Sequence, residues 1–204
     1  MCIRDSFLSP PPEGVVRFTV GQPDFRTPQP VVDAAKSDLD DGLHGYTRSQ
    51  GSEEICQAVA NYLTKYNLDI DHNDVLVSPG CKQALLYAMM SCLNPGDEVI
   101  LFAPAWPSYD GMLKLIGAVP VHVPVKRENY HPDMDATRAA ITSKTKAIVI
   151  NSPNNPTGAV YLPSEIEELA QIAAENDLWI FDDMIYSDLV YSDHSYVSPA
   201  SLEA

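Results

Sequence analysis

Residues 151–158 read NSPNNPTG and follow an apolar run at 147–150, AIVI, with a predicted helix beginning near Ser164. Asn, Pro, Ser, Thr and Gly are turn-forming residues, so eight of them in succession predict a shaped turn after a buried strand. Ligands of open α/β sheets bind at the carboxyl ends of the strands. The stretch therefore predicts polar side chains at the ligand-binding edge of a sheet.

Strand-like and helix-like runs alternate along the rest of the chain. Predicted strands at 75–77, 98–102, 119–125, 146–150 and 178–181 alternate with predicted helices at 82–93, 108–116, 134–141 and 164–176. This order indicates an α/β protein with a mostly parallel sheet and flanking helices. A further amphipathic helix is predicted at 52–66, with an apolar face that includes Tyr62 and Tyr66.

Composition excludes several classes of protein. Hydrophobic residues make up 45% of the 204 residues, and the formal net charge is −15. That charge disfavours nucleic acids and anionic membranes as partners, and the apolar stretches are too short to span a bilayer. Neither the cysteines nor the histidines have metal-ligand spacing, and no secretory leader is visible, so we expect no metal and a cytoplasmic location.

Five further segments occur in the same order as in one known family. They are GQPDF at 21–25, Tyr46, PGCKQAL at 79–85, PAW at 104–106 and DMIY at 183–186. Together with NNPTG they resemble the class I/II aminotransferases that depend on pyridoxal 5′-phosphate (PLP), in the aspartate aminotransferase-like branch. The resemblance covers roughly residues 16–192 and implies the fold-type I PLP-dependent transferase fold.

The resemblance implies a role for each matching residue. Gly80, Cys81 and Lys82 would contact the phosphate, at a turn that opens a helix and exposes free amides. Trp106 would stack on the pyridine ring. Asn155 would donate to the phenolate oxygen, while Asn154 caps the turn.

Two more cofactor contacts are expected after the strand at 178–181. Asp183 would keep the pyridine nitrogen protonated, because a nearby carboxylate raises the pKa of that nitrogen. Tyr186 would be the second donor to the phenolate. Asp182, which precedes Asp183, is expected to be a solvated or capping carboxylate.

Early residues have implied roles that involve the substrate and a second subunit. The backbone of Gly21 would meet the substrate carboxylate, and Tyr46 would reach the phosphate of the neighbouring subunit, which implies a homodimer. We expect residues 1–44 to form an arm and the start of a small domain. Residues 45–204 would form part of the large PLP-binding domain.

The lysine that forms the Schiff base with the cofactor in this family has no match in the chain. The resemblance places it beyond Ala204, so the catalytic residue is not identified and the large domain is expected to be incomplete. We expect the protein to be an aminotransferase acting on an amino acid and a 2-oxo acid, and this chain to be inactive and aggregation-prone alone.

Two alternatives remain open from the sequence. Another PLP enzyme of the same fold, such as a C–S lyase or an enzyme like aminocyclopropane-carboxylate (ACC) synthase acting at Cγ, would share the ring-binding residues. A non-catalytic PLP-binding sensor domain fused to a DNA-binding module is disfavoured by the short segment before residue 16 and by the acidic charge.

Overall fold

The computed structural model describes residues 12–16, 21, 25–42, 45–191 and 193–202. Contacts divide the chain into two units, Met1–Tyr46 and Thr47–Ala204. Within the described part of the first unit, helix α1 spans Gln29–Asp40 and buries none of its residues.

The second unit contains a parallel sheet whose strands alternate with helices. In chain order its elements are α2 (Glu53–Leu63), α3 (Cys81–Cys92), β1 (Glu98–Ala103), α4 (Ser108–Leu115), β2 (Val119–Pro124), α5 (Met134–Ala140), β3 (Thr145–Asn151), α6 (Pro163–Glu175) and β4 (Trp179–Asp183). Short 3₁₀ helices lie at Thr64–Tyr66, His72–Asp74 and Pro199–Ser201. The strand order is β2-β1-β3-β4 and all three pairings are parallel. The predicted α/β class with a parallel sheet is confirmed.

Alternate residues of each buried strand face opposite helical layers. Val99 and Leu101 of β1 pack in one core with Leu113 of α4, while Ile100 packs in a second core with Leu169 of α6. The period of two along a strand sends neighbouring side chains to opposite faces, so both faces of the sheet are covered. Each fully buried aliphatic side chain stabilises the fold by about 1.5–3 kcal/mol.

The strand predicted at 75–77 is not present as a strand. Val75 is extended at φ −90°, ψ 130°, and the amide of Val77 donates to the carbonyl of Gln50 at 2.8 Å. These residues lie outside the four-stranded sheet. The apolar, β-branched run therefore agrees with the extended backbone of Val75, but it does not form a strand, because a strand also needs a partner to pair with.

The predicted apolar face of the helix at 52–66 is only partly right, because Val59 packs against the core whereas Tyr62 does not. The residues that α2 buries are Cys56 and Ala60, whereas Tyr62 is 49% exposed. Tyr62 and Tyr66 instead use their hydroxyls to bind a carboxylate from the segment after β4. A tyrosine has an apolar ring and a polar tip, so hydrophobic periodicity alone misassigns it.

Candidate active site

A cavity of about 270 Å³ lies where the carboxyl ends of the strands meet the start of α3. Parallel strands end at one edge of a sheet, so the loops after β1, β3 and β4 converge there. All seven cofactor-contacting residues that the sequence predicts within the second unit line this cavity, together with three others. The lining residues are Gly80, Cys81, Lys82, Trp106, Tyr109, Asn151, Asn155, Asp183, Ile185 and Tyr186.

Gly80 opens α3 with a backbone conformation that favours glycine. Its φ is +92°, and as the N-cap residue it has no side chain that could accept from the first turn of the helix. The first amides of a helix have no intrahelical acceptor and carry the positive end of the helix dipole. The start of α3 therefore presents free donors to the cavity, and the ammonium of Lys82 lies 4.8 Å from the centre of the Trp106 ring.

Asp183 ends β4, is buried, and is held by side chains from two helices. The hydroxyl of Tyr109 donates to Oδ2 at 2.6 Å, and the thiol of Cys81 donates to Oδ1 at 3.5 Å. Burial, reinforced by the charge of Asp183, raises the pKa of the Tyr109 phenol and raises the pKa of the Cys81 thiol to about 11. Both groups therefore stay protonated and act as donors to the carboxylate.

Asn151 and Asn155 connect the turn after β3 to the turn after β4. Asn151 Oδ1 accepts from the amide of Asn155 at 2.8 Å, and its Nδ2 donates to the carbonyl of Asp183 at 2.9 Å. Asn155 Nδ2 donates to the hydroxyl of Tyr186 at 3.3 Å. The amide nitrogen of Asn155 carries two hydrogens and uses one of them here, while the Tyr186 hydroxyl accepts and keeps its own. Each residue therefore retains a hydrogen that can be donated to a ligand. Asn154 caps the turn by accepting from the Thr157 hydroxyl at 2.9 Å.

Asp182 lies on the opposite face of β4 from Asp183. Its Oδ2 accepts hydrogen bonds from the hydroxyls of Tyr196 and Ser198, and its buried Oδ1 has no hydrogen-bond partner among the described residues. Burial raises the pKa of Asp182, while the two hydroxyls oppose that rise. The expectation of a solvated or capping carboxylate is therefore wrong, because the segment 196–198 folds back over it.

Gly21 and Tyr46 belong to the first unit of the chain. Both are exposed, and Tyr46 is fully so. Gln22, Pro23 and Asp24 of the GQPDF motif lie outside the described residues. The roles predicted for Gly21 and Tyr46 stay predictions.

Sequence reasoning missed Tyr109, Asn151 and Ile185 as cavity residues. Tyr109 follows Trp106 by three residues and lies in the first turn of α4, and the two rings meet in an edge-to-face contact with 5.3 Å between their centres. That spacing was a usable signal. Asn151 was readable as the last strand residue of the turn motif, while Ile185 gave no signal of its own.

Two other kinds of feature are absent from the described residues. No group of three or more His, Cys, Asp or Glu side chains there could hold a metal ion. In the same part of the chain, no helix combines the length and apolar character that crossing a membrane requires.

Comparison with known proteins places this geometry in a family. Residues 13–204 match the model of "Aminotransferase class I and II". The aspartate aminotransferase of Sulfolobus acidocaldarius is 41% identical over 175 residues, which are 84% of this chain and 44% of that protein. The aspartate/prephenate aminotransferase of Thermus thermophilus is 42% identical over 173 residues, 84% of this chain and 45% of that protein.

Solved structures agree with this assignment. The Thermus thermophilus aspartate aminotransferase with maleate has a TM-score of 0.87 at 40% identity, over 90% of this chain and 48% of that one. The alanine aminotransferase of Pyrococcus furiosus has a TM-score of 0.88 at 34% identity, over 93% and 49%. The chain thus spans about half the length of the relatives it matches. The expected fold-type I architecture is confirmed, and the chain belongs to the class I and II aminotransferase family, whose members use PLP.

Proposed function

We propose that the cavity at the sheet edge binds PLP and that the protein transfers an amino group from an amino acid to a 2-oxo acid. The observation that carries this proposal is the convergence of seven residues, from four separate segments, on one cavity around the buried Asp183. The names of the relatives point to aspartate as the first amino donor to test.

The donors and acceptors of the cavity fit the functional groups of PLP. The uncapped start of α3 and the Lys82 ammonium would hold the phosphate, since helix N-termini bind anions. Trp106 would pack on the flat ring. Asn155 and Tyr186 would each donate to the phenolate oxygen with the hydrogen that is not used in the bond between them.

Asp183 would lie beside the pyridine nitrogen and favour its protonation. Tyr109 and Cys81 would keep the carboxylate oriented, because each donates to a different oxygen. When bound, PLP supplies an electron sink for the charge that develops at the substrate Cα. We assign none of the described lining residues as the base at Cα.

The remaining expectations stand as parts of the same proposal. The division of contacts after Tyr46 supports a boundary between an arm with the start of a small domain, at 1–44, and a large domain from 45. The exposure of Tyr46 supports a role at a neighbouring subunit in a homodimer. Free thiols at Cys56, Cys81 and Cys92 support a reducing cytoplasm.

Binding of pyridoxamine 5′-phosphate to the 204-residue chain tests the cavity without interference from surface lysines, because the amine form cannot form an imine with them. The chain has two tryptophans, Trp106 in the cavity and Trp179, which is 59% exposed on β4. We expect the ligand to quench fluorescence in the W179F variant and not in W106F. Equal quenching in both variants, or none in the wild-type chain, would reject the proposed site.

The reaction itself is tested in the full-length protein with aspartate and 2-oxoglutarate. The expected result is formation of glutamate and oxaloacetate. Release of pyruvate, ammonia or a thiol from other amino acids without transfer to the 2-oxo acid would favour the lyase alternative instead.

A further inference from the structure

Asp188 is surrounded by three donors from the end of α2 and the 3₁₀ helix after it. Tyr62 donates to Oδ2 at 2.6 Å, Tyr66 donates to Oδ1 at 2.7 Å, and the Lys65 ammonium contacts both oxygens at 2.7 and 3.0 Å. Tyr66 also shares a hydrogen bond of 2.7 Å with the hydroxyl of Ser187. These contacts join parts of the chain more than 120 residues apart in sequence.

Charge strengthens this cluster beyond its hydrogen bonds. The Lys65 ammonium, with the two tyrosine hydroxyls, lowers the pKa of Asp188 well below its usual range, so the carboxylate is ionised at neutral pH. Lys65 also lies over both rings, 3.7 Å from the centre of Tyr62 and 4.7 Å from that of Tyr66. The ammonium therefore contacts two aromatic rings and a carboxylate at once, so cation–π attraction adds to the ion pair.

The segment between Asp183 and Asp188 carries Tyr186. Its first end is fixed because Asp183 accepts from Tyr109 and from Asn151. Two tight turns follow, in which the amide of Ser187 donates to the carbonyl of Met184 at 3.0 Å and that of Leu189 donates to the carbonyl of Tyr186 at 2.8 Å. Neither turn belongs to the sheet, so the position of Tyr186 depends on how both ends of the segment are held.

We propose that Asp188, held by Tyr62, Lys65 and Tyr66, is a positioning residue that aims the Tyr186 hydroxyl into the cofactor cavity. We call these four residues the Asp188 clamp. None of the four lines the cavity, so the clamp acts through the backbone of residues 186–188. The inference rests on the proposed function for its consequence, although the clamp itself can be tested without any cofactor.

Hydrogen exchange of the ligand-free chain tests whether the clamp holds the segment. The D188N variant keeps the shape of the side chain and removes its charge. We expect several-fold faster exchange at the amides of Ser187 and Leu189, because opening of the turns costs less. The matched control is E168Q, which removes a carboxylate that contacts Arg138 at 3.2 Å on another surface. Unchanged exchange in D188N, or equal acceleration in E168Q, would overturn the proposal.

A double-mutant cycle tests whether the clamp acts on Tyr186. We expect D188N and Y186F each to weaken pyridoxamine phosphate binding several-fold and to shift the absorption band of the bound ligand in the same direction. The double variant should show no further change, since both remove the same contact. Loss of stability alone would leave the absorption band in place, so a stable band or additive effects would contradict the positioning role.

Substitution of Lys65 provides the conservative comparison. K65R keeps a cation beside Asp188 and should retain wild-type exchange and binding, whereas K65M should resemble D188N. Absence of ligand binding by the wild-type chain would count against the proposed function, and hydrogen exchange would still decide whether the clamp exists.

Discussion

The adjacent aspartates Asp182 and Asp183 lie on opposite faces of β4 and have different hydrogen-bond partners. Asp183 faces the cavity with a donor on each oxygen, from Tyr109 and Cys81. Asp182 faces away: one of its oxygens accepts from two hydroxyls, and the other is buried with no partner in the part of the chain that the structure describes. Asp183 is therefore an oriented acceptor that lines the cavity, whereas Asp182 links β4 to the segment 196–198 by hydrogen bonds. The difference comes from which segments fold over each face rather than from the strand itself.

The largest effect is expected from removing the cavity carboxylate. D183A should abolish pyridoxamine phosphate binding and lower the free energy of unfolding by about 1–3 kcal/mol, because the buried Tyr109 hydroxyl loses its acceptor. Ligand titration and urea denaturation measure the two effects. D182A is the matched control and should retain ligand binding. Loss of binding in D182A with retention in D183A would reverse our assignment of the two faces.

Removal of one donor to Asp183 is expected to have the next largest effect. Y109F leaves Oδ2 of a buried carboxylate without its 2.6 Å partner, which costs about 1–3 kcal/mol of stability. Ligand affinity should fall as the carboxylate loses its orientation. Y161F, at another buried tyrosine outside the cavity, is the control for stability. A Y109F variant with wild-type affinity would show that Asp183 needs no positioning by Tyr109.

Asp182, on the opposite face of β4, should make the stability of the protein depend on pH. The pKa of Asp182 is raised from 3.8 by burial, so its contribution to stability is present below that value and is lost as the pH rises through the folded-state pKa. We therefore expect D182N to gain stability relative to wild type as the pH is raised from 3.8 towards neutral. Urea denaturation of both proteins across this range measures the difference. A difference independent of pH would mean that the Asp182 pKa is the same in the folded and unfolded states.

The smallest effect concerns the weak thiol donor. C81S should change stability by less than about 1 kcal/mol, since a thiol hydrogen bond is weak. The reactivity of Cys81 is more informative, because its pKa of about 11 leaves little thiolate at neutral pH. Peptide mapping after iodoacetamide treatment should show faster alkylation of Cys81 in D183N than in wild type. Equal rates would indicate that the Asp183 charge does not reach the thiol.

Local pattern was sufficient for most of the fold. The helix predicted at 82–93 is Cys81–Cys92, and the strand predicted at 146–150 is Thr145–Asn151. Periodicity and turn residues specify such elements because each reports on a neighbour in the same segment. The position of residues 75–77 outside the sheet could not be predicted, because joining a sheet depends on a partner strand distant in sequence.

In the candidate site, too, local features could be predicted from the sequence and contacts between distant segments could not. The residues of its motifs could be read from the sequence, since each lies at the end of a strand or the start of a helix. The partners of those residues could not, because Tyr109, Cys81 and Asp183 come together only when three segments fold. The hydrogen bonds from the segment 196–198 to Asp182 also join residues that are separated in sequence. The same is true of the Asp188 clamp.

The central claim is that Asp183, and not Asp182, faces the cofactor. Nitrogen NMR of pyridoxamine phosphate labelled with ¹⁵N in its ring, bound to the wild-type, D182N and D183N chains, tests it most directly. We predict a protonated ring nitrogen in wild type and D182N, and loss of protonation or of binding in D183N. A nitrogen that stays protonated in D183N and changes in D182N would contradict the account.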